Sequence, residues 1–164
     1  MKPTKWIAAV VASVGAALLP ACDGFNLQAL KPGVSTVADV RARLGPPSAE
    51  YANSDGSVTY EYNRQPQGTD CYMITIGRDQ IVQRIEQVLT EANLARVLPG
   101  MDRADVRRLL GGPGSVSQFP AANEEVWDWR VAGTLPTEEA HFHVHFDAAT
   151  GLVTKTTRRV EAKG

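Results

Sequence analysis

Hydrophobic residues recur at every second position in several short segments of the chain. The clearest of these segments are centred on Tyr60, Ile74, Trp129 and Val144. Because successive side chains of a strand point to opposite faces, this spacing predicts strands with one apolar and one polar face. One more strand is predicted over 81–88 and another over 152–160. We expect each resulting sheet to pack its apolar face on helices and to expose its polar face to water.

Helical spacing precedes each group of strands. Apolar residues four positions apart, Val40 with Leu44 and Val106 with Leu110, predict two helices. Each of these helices has a capping residue at its start and a glycine at its end: Thr36 and Gly45, then Asp102 and Gly111. A shorter helix is predicted before each, over 25–30 and 91–98, ended by Pro-Gly. The predicted fold class is α+β, with two tandem repeats that each pack a pair of short helices on a small antiparallel sheet.

The predicted elements occur twice along the chain. Residues 36–47 correspond to residues 102–113 at a constant offset of 66, and an aromatic pair follows in both copies. Self-similarity of this kind marks a duplicated structural unit. We predict a signal peptide at 1–21, one repeat at 22–89 and a second repeat at 90–164. Units this short are only marginally stable alone, so we expect them to pack on each other.

The first residues have the character of a secretory signal. Lys2 and Lys5 precede an uncharged apolar run over 6–19, which is too short to cross a bilayer. The run ends in Leu-Pro-Ala-Cys at 19–22, which resembles the lipobox of bacterial lipoproteins. The resemblance implies cleavage before Cys22, diacylglycerol on its thiol and an acyl chain on its amine. An ordinary signal peptide, cut after Ala21 or Ala17, is the alternative.

Lipidation of Cys22 would hold the folded part at a membrane of the cell envelope, facing the periplasm. Anchoring by more than one acyl chain is stable. We expect the outer membrane rather than the inner one. Asp23 leaves this open, because it resembles the inner-membrane retention signal of enteric bacteria.

Charge and cysteine content limit the classes of partner. The chain has 17 basic and 18 acidic residues, a formal net charge of −1. Removal of residues 1–21 takes away two lysines and no acids, which leaves 15 basic residues against 18 acidic ones. The signs are interspersed without a basic block, so nucleic acid is not an expected partner. With Cys22 lipidated, Cys71 has no disulfide partner, and we expect it to be a buried strand residue.

Three histidines alternate along one predicted strand. His141, His143 and His145 share its polar face, and imidazole is a ligand for zinc, copper and nickel. Alternate residues of a strand lie about 6.6 Å apart, so three in a row seldom converge on one ion, and we predict no metal site. A solvated polar row and a pH-sensitive interaction surface remain open. Asp128 and Arg130 lie on the same predicted face and join the histidines as candidate partner-binding residues.

Other clusters have structural explanations. Trp127 and Trp129 alternate with polar residues, and we expect them in the core, with a role as partner anchors as the alternative. The Gly-Gly-Pro-Gly at 111–114 follows a helix and lacks the lysine of a phosphate loop. The chain shows no nucleophile elbow and no paired carboxylates in a cleft-forming context. We therefore predict no catalytic residues, no cofactor and no enzymatic activity.

One stretch of the second copy resembles a known family. Residues 98–113, followed by Val-Trp-Asp-Trp at 126–129 and by Val-x-Phe-Asp at 144–147, look like the SmpA/OmlA lipoproteins, the BamE-like group of bacterial envelope proteins. This resemblance implies helices on a small sheet, a lipid anchor and a role beside the outer-membrane β-barrel assembly machinery. The barrel-assembly component has one copy, whereas this chain has two. Tandem copies are similar to the β-lactamase inhibitor proteins, whose paired sheets form a concave protein-binding surface.

The leading prediction for function is a membrane-anchored, non-catalytic protein-binding module in outer-membrane or envelope protein assembly. Its partners would be envelope proteins, with barrel-assembly components among the candidates. The alternative is an inhibitor or regulator that binds an envelope enzyme through its exposed sheet faces. An enzyme or metal-dependent protein that uses the histidine row is the weakest hypothesis.

Overall fold

The computed structural model describes residues 27–162. The predicted signal peptide, Cys22 and Asp23 lie outside the described residues. Within them, the chain is α+β, with two four-stranded antiparallel sheets and three α-helices. None of the helices in this part of the chain is long and apolar enough to span a membrane.

The elements fall into two halves of similar order. The first half contains α1 (Val37–Leu44), β1 (Ala49–Ala52), β2 (Val58–Asn63), β3 (Cys71–Ile76) and β4 (Val82–Gln87). The second half contains α2 (Glu91–Leu94), α3 (Arg103–Leu110), β5 (Ser115–Phe119), β6 (Glu124–Val131), β7 (Glu138–Asp147) and β8 (Val153–Ala162). Strands are neighbours in sequence order in both sheets. In both halves a single bridge joins the helix N-cap to the residue before the last strand, Thr36 to Ile81 and Asp102 to Leu152.

The sequence predicted three strands in each half, and the structure has four. The first strand of each sheet, β1 or β5, was not predicted. β1 alternates between half-buried and exposed residues but has only four of them, and all five residues of β5 are exposed. A segment this short, or one with no buried face, gives little periodic signal in the sequence. The predicted pair of helices is also only partly present. The second half has two α-helices, whereas the first has one α-helix and a single 3₁₀ turn at Leu27–Ala29.

The predicted helix caps are confirmed. The hydroxyl of Thr36 accepts a hydrogen bond from Asp39 N at 3.2 Å, and Thr36 N donates to Asp39 Oδ2 at 2.8 Å. In α3 the carboxylate of Asp102 accepts from Asp105 N at 2.8 Å. These bonds satisfy backbone N–H groups that have no partner within the helix. Both helices therefore begin at positions fixed by local sequence.

Two apolar clusters hold the layers together. One cluster packs α1, through Val40, on a face of the first sheet that includes Tyr62 and Ile74. The other joins α2 and α3 to the inner face of the second sheet. It also includes Cys71 and Met73, which lie on the opposite face of the first sheet. The expectation that the two halves pack on each other is therefore confirmed.

The expectation that each sheet exposes its second face to water is wrong for the first sheet. Cys71 and Met73 are buried there under the helices of the second half, and Glu61 and Thr75 on the same face are also buried. The physical reason is that the second half uses this face to complete its own core. Only the second sheet keeps an outer face that no other described element covers, since its outer residues are half-buried or exposed.

A buried carboxylate lies where the halves meet. Glu61 is 1% exposed and accepts hydrogen bonds from Tyr51 Oη at 2.5 Å, Gly112 N at 2.9 Å and Asn63 Nδ2 at 3.1 Å. Tyr51 in turn accepts from Arg107 Nε at 3.3 Å. A buried charge is tolerated when its hydrogen-bonding capacity is used in this way. The network joins β1 and β2 to the end of α3.

A loop of the first half adds a second polar connection. In the loop between β2 and β3, Gln65 Oε1 accepts from Arg130 N at 2.9 Å, and Gln65 Nε2 donates to Arg130 O at 2.6 Å. β5 pairs with β6 only as far as Asp128, so the backbone of Arg130 lies beyond the end of β5. The side-chain amide of Gln65 thus takes the place of a neighbouring strand at this position.

Candidate protein-binding surface

The outer face of the second sheet carries the candidate residues predicted from the sequence. Strict alternation buries Trp129 and Phe142 on the inner face, which turns Asp128, Arg130 and the three histidines outward. The register of β6 and β7 pairs Arg130 with His141 and Asp128 with His143. We call this group the histidine face and define it as Asp128, Arg130, His141, His143 and His145. The structure brings all five residues together on one surface.

Asp128 lies between two imidazoles. His141 Nδ1 is 2.9 Å from Asp128 Oδ1 and 3.1 Å from Oδ2, and His143 Nε2 is 3.7 Å from Oδ1. A carboxylate only accepts hydrogen bonds, so the hydrogen bond to His141 places a proton on Nδ1. The Asp128 side chain is 26% exposed, so water still reaches it. The arrangement orients the two rings and leaves them accessible from solvent.

His145 is held by different partners. Its Nδ1 is 2.9 Å from Glu124 Oε1, and its Nε2 is 2.9 Å from Thr157 Oγ1. Lys155 Nζ is 3.8 Å from the same Glu124 oxygen. Sequence reasoning missed Glu124 and Thr157 as members of this surface. Glu124 is four residues before Asp128 on the same strand, so the period of two already placed it on this face.

Arg130 connects the histidine face to the junction between the halves. Its Nη1 donates to Gln67 O at 3.2 Å, and its Nε is 3.4 Å from Glu139 Oε1. The same Glu139 oxygen is 3.4 Å from His141 Nε2. Because its guanidinium already holds the loop of the first half, Arg130 positions the face as well as contributing charge to it.

An exposed aromatic residue borders the same surface. Phe119, at the end of β5, pairs with Glu124 in the antiparallel ladder and so lies on the outer face. Its exposed fraction is 49%. Protein interfaces are enriched in aromatic residues and arginine, and they combine apolar contacts with hydrogen bonds. The outer face therefore offers both kinds of contact to a partner.

The middle histidine has an altered proton affinity. Burial lowers the pKa of His143 below its ordinary value, and the electrostatic effects of His141, Arg159 and His145 act in the same direction. The carboxylate of Asp128 opposes this shift. His143 therefore gains its proton only at a lower pH than an exposed histidine does.

The geometry of the row does not converge on an ion. The ring centroids of His141 and His143 are 6.3 Å apart, and those of His143 and His145 are 6.5 Å apart. Among residues 27–162, no group of three or more His, Cys, Asp or Glu side chains is arranged to hold a metal ion. Each imidazole is instead engaged by a carboxylate or a hydroxyl of a neighbouring strand.

The tryptophans belong to the core, as expected. Trp129 is fully buried and Trp127 is 9% exposed. Trp129 Nε1 donates to Gly111 O at 3.2 Å, and Trp127 Nε1 donates to Glu125 Oε1 at 2.7 Å. Both indole N–H groups are thus satisfied within the fold, which leaves neither ring free to anchor a partner. The prediction that Cys71 is a buried strand residue is also confirmed.

One family model matches a segment that lies mostly in the second half. Residues 86–156 match the family model described as the outer membrane protein assembly factor BamE domain. The match spans less than half of the 164-residue chain and includes the whole histidine face. It confirms the resemblance of this part of the chain to the BamE-like group. No curated protein sequence matches the chain significantly.

Solved structures give only distant similarities. A putative β-lactamase inhibitor protein from Streptococcus mutans is 13% identical with a TM-score of 0.35, over 76% of this chain and 82% of that one. A DUF4309 family protein (YjgB) from Bacillus subtilis is 17% identical with a TM-score of 0.31, over 83% of this chain and 84% of that one. Similarities this weak support no functional argument.

Proposed function

We propose that this chain is a membrane-anchored periplasmic lipoprotein that acts as a non-catalytic protein-binding module in outer-membrane or envelope protein assembly. The observation that carries the proposal is the match of residues 86–156 to a domain of an outer membrane protein assembly factor. The same match supports a location at the outer membrane and assembly proteins as partners. The absence of a catalytic motif in the sequence supports a binding role.

We propose the two halves to be BamE-like repeats with boundaries at 22–89 and 90–164. Both halves place a helix before an antiparallel sheet with its strands in sequence order. Both also join the helix N-cap to the start of the last strand by one bridge. These shared features support a duplicated unit whose second copy has kept the family pattern more closely.

The histidine face is the proposed contact surface. It lies on the one sheet face that the described elements leave uncovered, and its imidazoles and charges are held in place by neighbouring strands. Side chains that are already oriented lose little conformational entropy when a partner binds. Phe119, Glu124, Glu139 and Thr157 extend the surface, so a partner would meet apolar, acidic, basic and hydroxyl groups together.

Crosslinking in intact cells tests the binding role. A photo-crosslinking residue at Lys155, which is exposed beside Glu124, should capture envelope proteins, and barrel-assembly subunits among them would support the assembly function. The same residue at Arg43, on the exposed side of α1, is the matched control. Capture of a hydrolase or transpeptidase at Lys155 would favour the inhibitor alternative. Equal captures at Lys155 and Arg43 would contradict the assignment of the surface.

The lipid anchor is proposed from the sequence, since Cys22 lies outside the described residues. Cys22→Ser should release the protein from the membrane fraction, because stable attachment depends on the acyl chains. Separation of inner and outer membranes by density should place the unaltered protein in the outer membrane. Retention of the Cys22→Ser protein in membranes would contradict anchoring through this residue.

A further inference from the structure

A groove of about 420 Å³ lies between the two halves, away from the histidine face. One wall is the face of the first sheet that turns toward the second half, with Thr59, Met73 and Thr75. The other wall comes from the second half, with Asn93 on α2 and Leu109 on α3. The groove is of the size that small ligands and peptide segments occupy. It exists only when both halves are docked.

Three arginines reach this groove from three different elements. They are Arg84 on β4, Arg96 just after α2 and Arg108 on α3. Glu86 is the one carboxylate that lines the groove, and it is 2.9 Å from Arg84. Within residues 27–162, neither Arg96 nor Arg108 lies within ion-pair distance of a carboxylate. The groove thus has an excess of positive charge in a chain with more acidic than basic residues.

Neutral contacts orient the two unpaired guanidinium groups. Arg96 Nη1 donates to Asn93 Oδ1 at 3.1 Å. Arg108 Nη2 donates to Ala52 O at 3.3 Å, and its guanidinium carbon lies 5.4 Å from the centre of the Tyr51 ring. These contacts use only part of the five N–H donors of each side chain. The remaining donors are available to an anionic ligand, for which arginine is well suited.

Hydroxyl groups line the floor between the arginines. Thr75 is 8% exposed, and its Oγ1 is 3.4 Å from Thr59 Oγ1. Thr59 Oγ1 also accepts from Asn53 Nδ2 at 3.0 Å. Hydroxyls both donate and accept, so this floor matches a peptide backbone, which presents both kinds of group.

We propose that the groove binds an extended acidic segment of a partner protein. The arginines lie on three separate elements, so carboxylates spaced along a peptide reach more of them than one compact anion does. The site is distinct from the histidine face and gives the molecule a second point of attachment. The positive groove attracts an acidic segment at a distance and so speeds its association. Salt screens this attraction, so binding should weaken as salt is raised.

A fluorescein-labelled hexaglutamate peptide tests the proposal with the purified protein in neutral detergent. Fluorescence anisotropy should show binding that weakens as salt is raised, and amide chemical shifts should change at Thr75, Asn93 and Arg108. The double variant Arg96→Gln/Arg108→Gln should bind the peptide about tenfold more weakly or worse, because a hydrogen bond to a charged group is worth at least about that factor.

The matched control is Arg43→Gln/Arg78→Gln, which removes the same charge from exposed positions outside the groove. It should keep the affinity of the unaltered protein within about twofold. Equal losses in both double variants would show that only net charge matters and would overturn the proposal. Shift changes confined to other surfaces, or binding of inorganic phosphate without binding of hexaglutamate, would overturn it as well. Crosslinking at Lys155 tests the histidine face separately, so failure of one proposal is distinguishable from failure of the other.

Discussion

Gly45 and Gly111 occupy equivalent positions at the ends of α1 and α3, yet their surroundings differ. Both have positive φ, +75° and +79°, where residues with a Cβ are strained. A Cβ at Gly45 would meet no atom within 4 Å. A Cβ at Gly111 would collide with Cys71 Sγ and would lie 3.4 Å from Glu61 Oε1. The same local signal therefore ends a helix in both halves, and in the second half it also permits a close contact between the halves.

Alanine at these two positions should separate backbone strain from packing. Gly45→Ala should lower the free energy of unfolding by about 1–3 kcal/mol, because φ +75° with ψ −162° is a backbone region that essentially only glycine occupies. Gly111→Ala should cost about 1–3 kcal/mol more, because the buried thiol and carboxylate would have to move. Urea unfolding followed by circular dichroism measures both. Equal losses for the two variants would contradict a tight contact at Gly111.

The buried carboxylate of Glu125 should contribute to the free energy of unfolding in a way that depends on acid pH. It is 9% exposed and accepts hydrogen bonds from Arg103 Nε at 2.7 Å, Trp127 Nε1 at 2.7 Å and Gln118 Nε2 at 2.5 Å. The hydrogen bond from Arg103 is the main reason that the pKa of Glu125 is lowered in the folded state. The ionised carboxylate therefore stabilises the fold above its unfolded pKa of about 4.3, and this contribution is lost as pH falls through the lower folded pKa.

Glu125→Gln should lower the free energy of unfolding by about 1–3 kcal/mol near neutral pH, since hydrogen bonds to a charged group are lost. Below the folded pKa the difference from the unaltered protein should shrink, because both side chains are then neutral. Glu161→Gln, at a side chain that is 61% exposed, should change little at either pH. A difference for Glu125→Gln that stayed constant from neutral to acid pH would contradict this account.

At the scale of elements, Gln65 shows how a loop can complete a sheet. Its amide makes two hydrogen bonds with the backbone of Arg130, beyond the point where β5 ends. A strand edge with free backbone groups is a site for unwanted pairing. The Gln65 side chain covers this edge, and the same two hydrogen bonds fix the loop between β2 and β3 to the second half.

Gln65→Ala should weaken this connection and leave the helices and sheets intact. The amide hydrogen of Arg130 should exchange with solvent at least about tenfold faster, because its acceptor is removed. Gln67→Ala is the matched control, since Gln67 contributes its backbone carbonyl to Arg130. Amide exchange followed by NMR measures both variants. An unchanged exchange rate at Arg130 in the Gln65→Ala protein would show that another group protects it.

The sequence predicted what depends on local pattern and missed what depends on partners distant along the chain. Thr36 and Asp102 cap helices through residues three positions away, so both starts were predictable. β5 is entirely exposed, and it is a strand only because it pairs with β6. Cys71 and Met73 are apolar residues on the face predicted to be polar, and they were the signal that this face is covered.

The candidate site follows the same division. Alternation placed the three histidines, Asp128 and Arg130 on one face, as the structure has them. The contacts that orient them come from neighbouring strands, and the register between strands is not readable from one sequence. Thr157, on β8, therefore emerged only from the structure, as did the contacts of Glu139 with Arg130 and His141.

At the scale of the whole molecule, the layers make the two halves depend on each other. The core of the second half includes Cys71, Met73, Val88 and Leu89 from the first half. The other cluster, with Val40 of α1, holds the opposite face of the same sheet. Loss of packing on one face of the first sheet should therefore weaken its support for the second half, and the chain should unfold as one unit.

Val40→Ala tests this coupling from the far side of the molecule. Val40 lies on α1 and is fully buried against the first sheet, and the loss of two methyl groups should lower the free energy of unfolding by about 2 kcal/mol. If the halves unfold together, Val40→Ala should lower the urea concentration at which peptides from β6 and β7 exchange their amide hydrogens. The decrease should equal the decrease for peptides from β2. Val34→Ala, which removes the same groups from a side chain that is 69% exposed, should shift neither set. Hydrogen exchange measured by mass spectrometry gives these urea concentrations. A shift in β2 alone, with β6 and β7 unchanged in the Val40→Ala protein, would contradict the coupling.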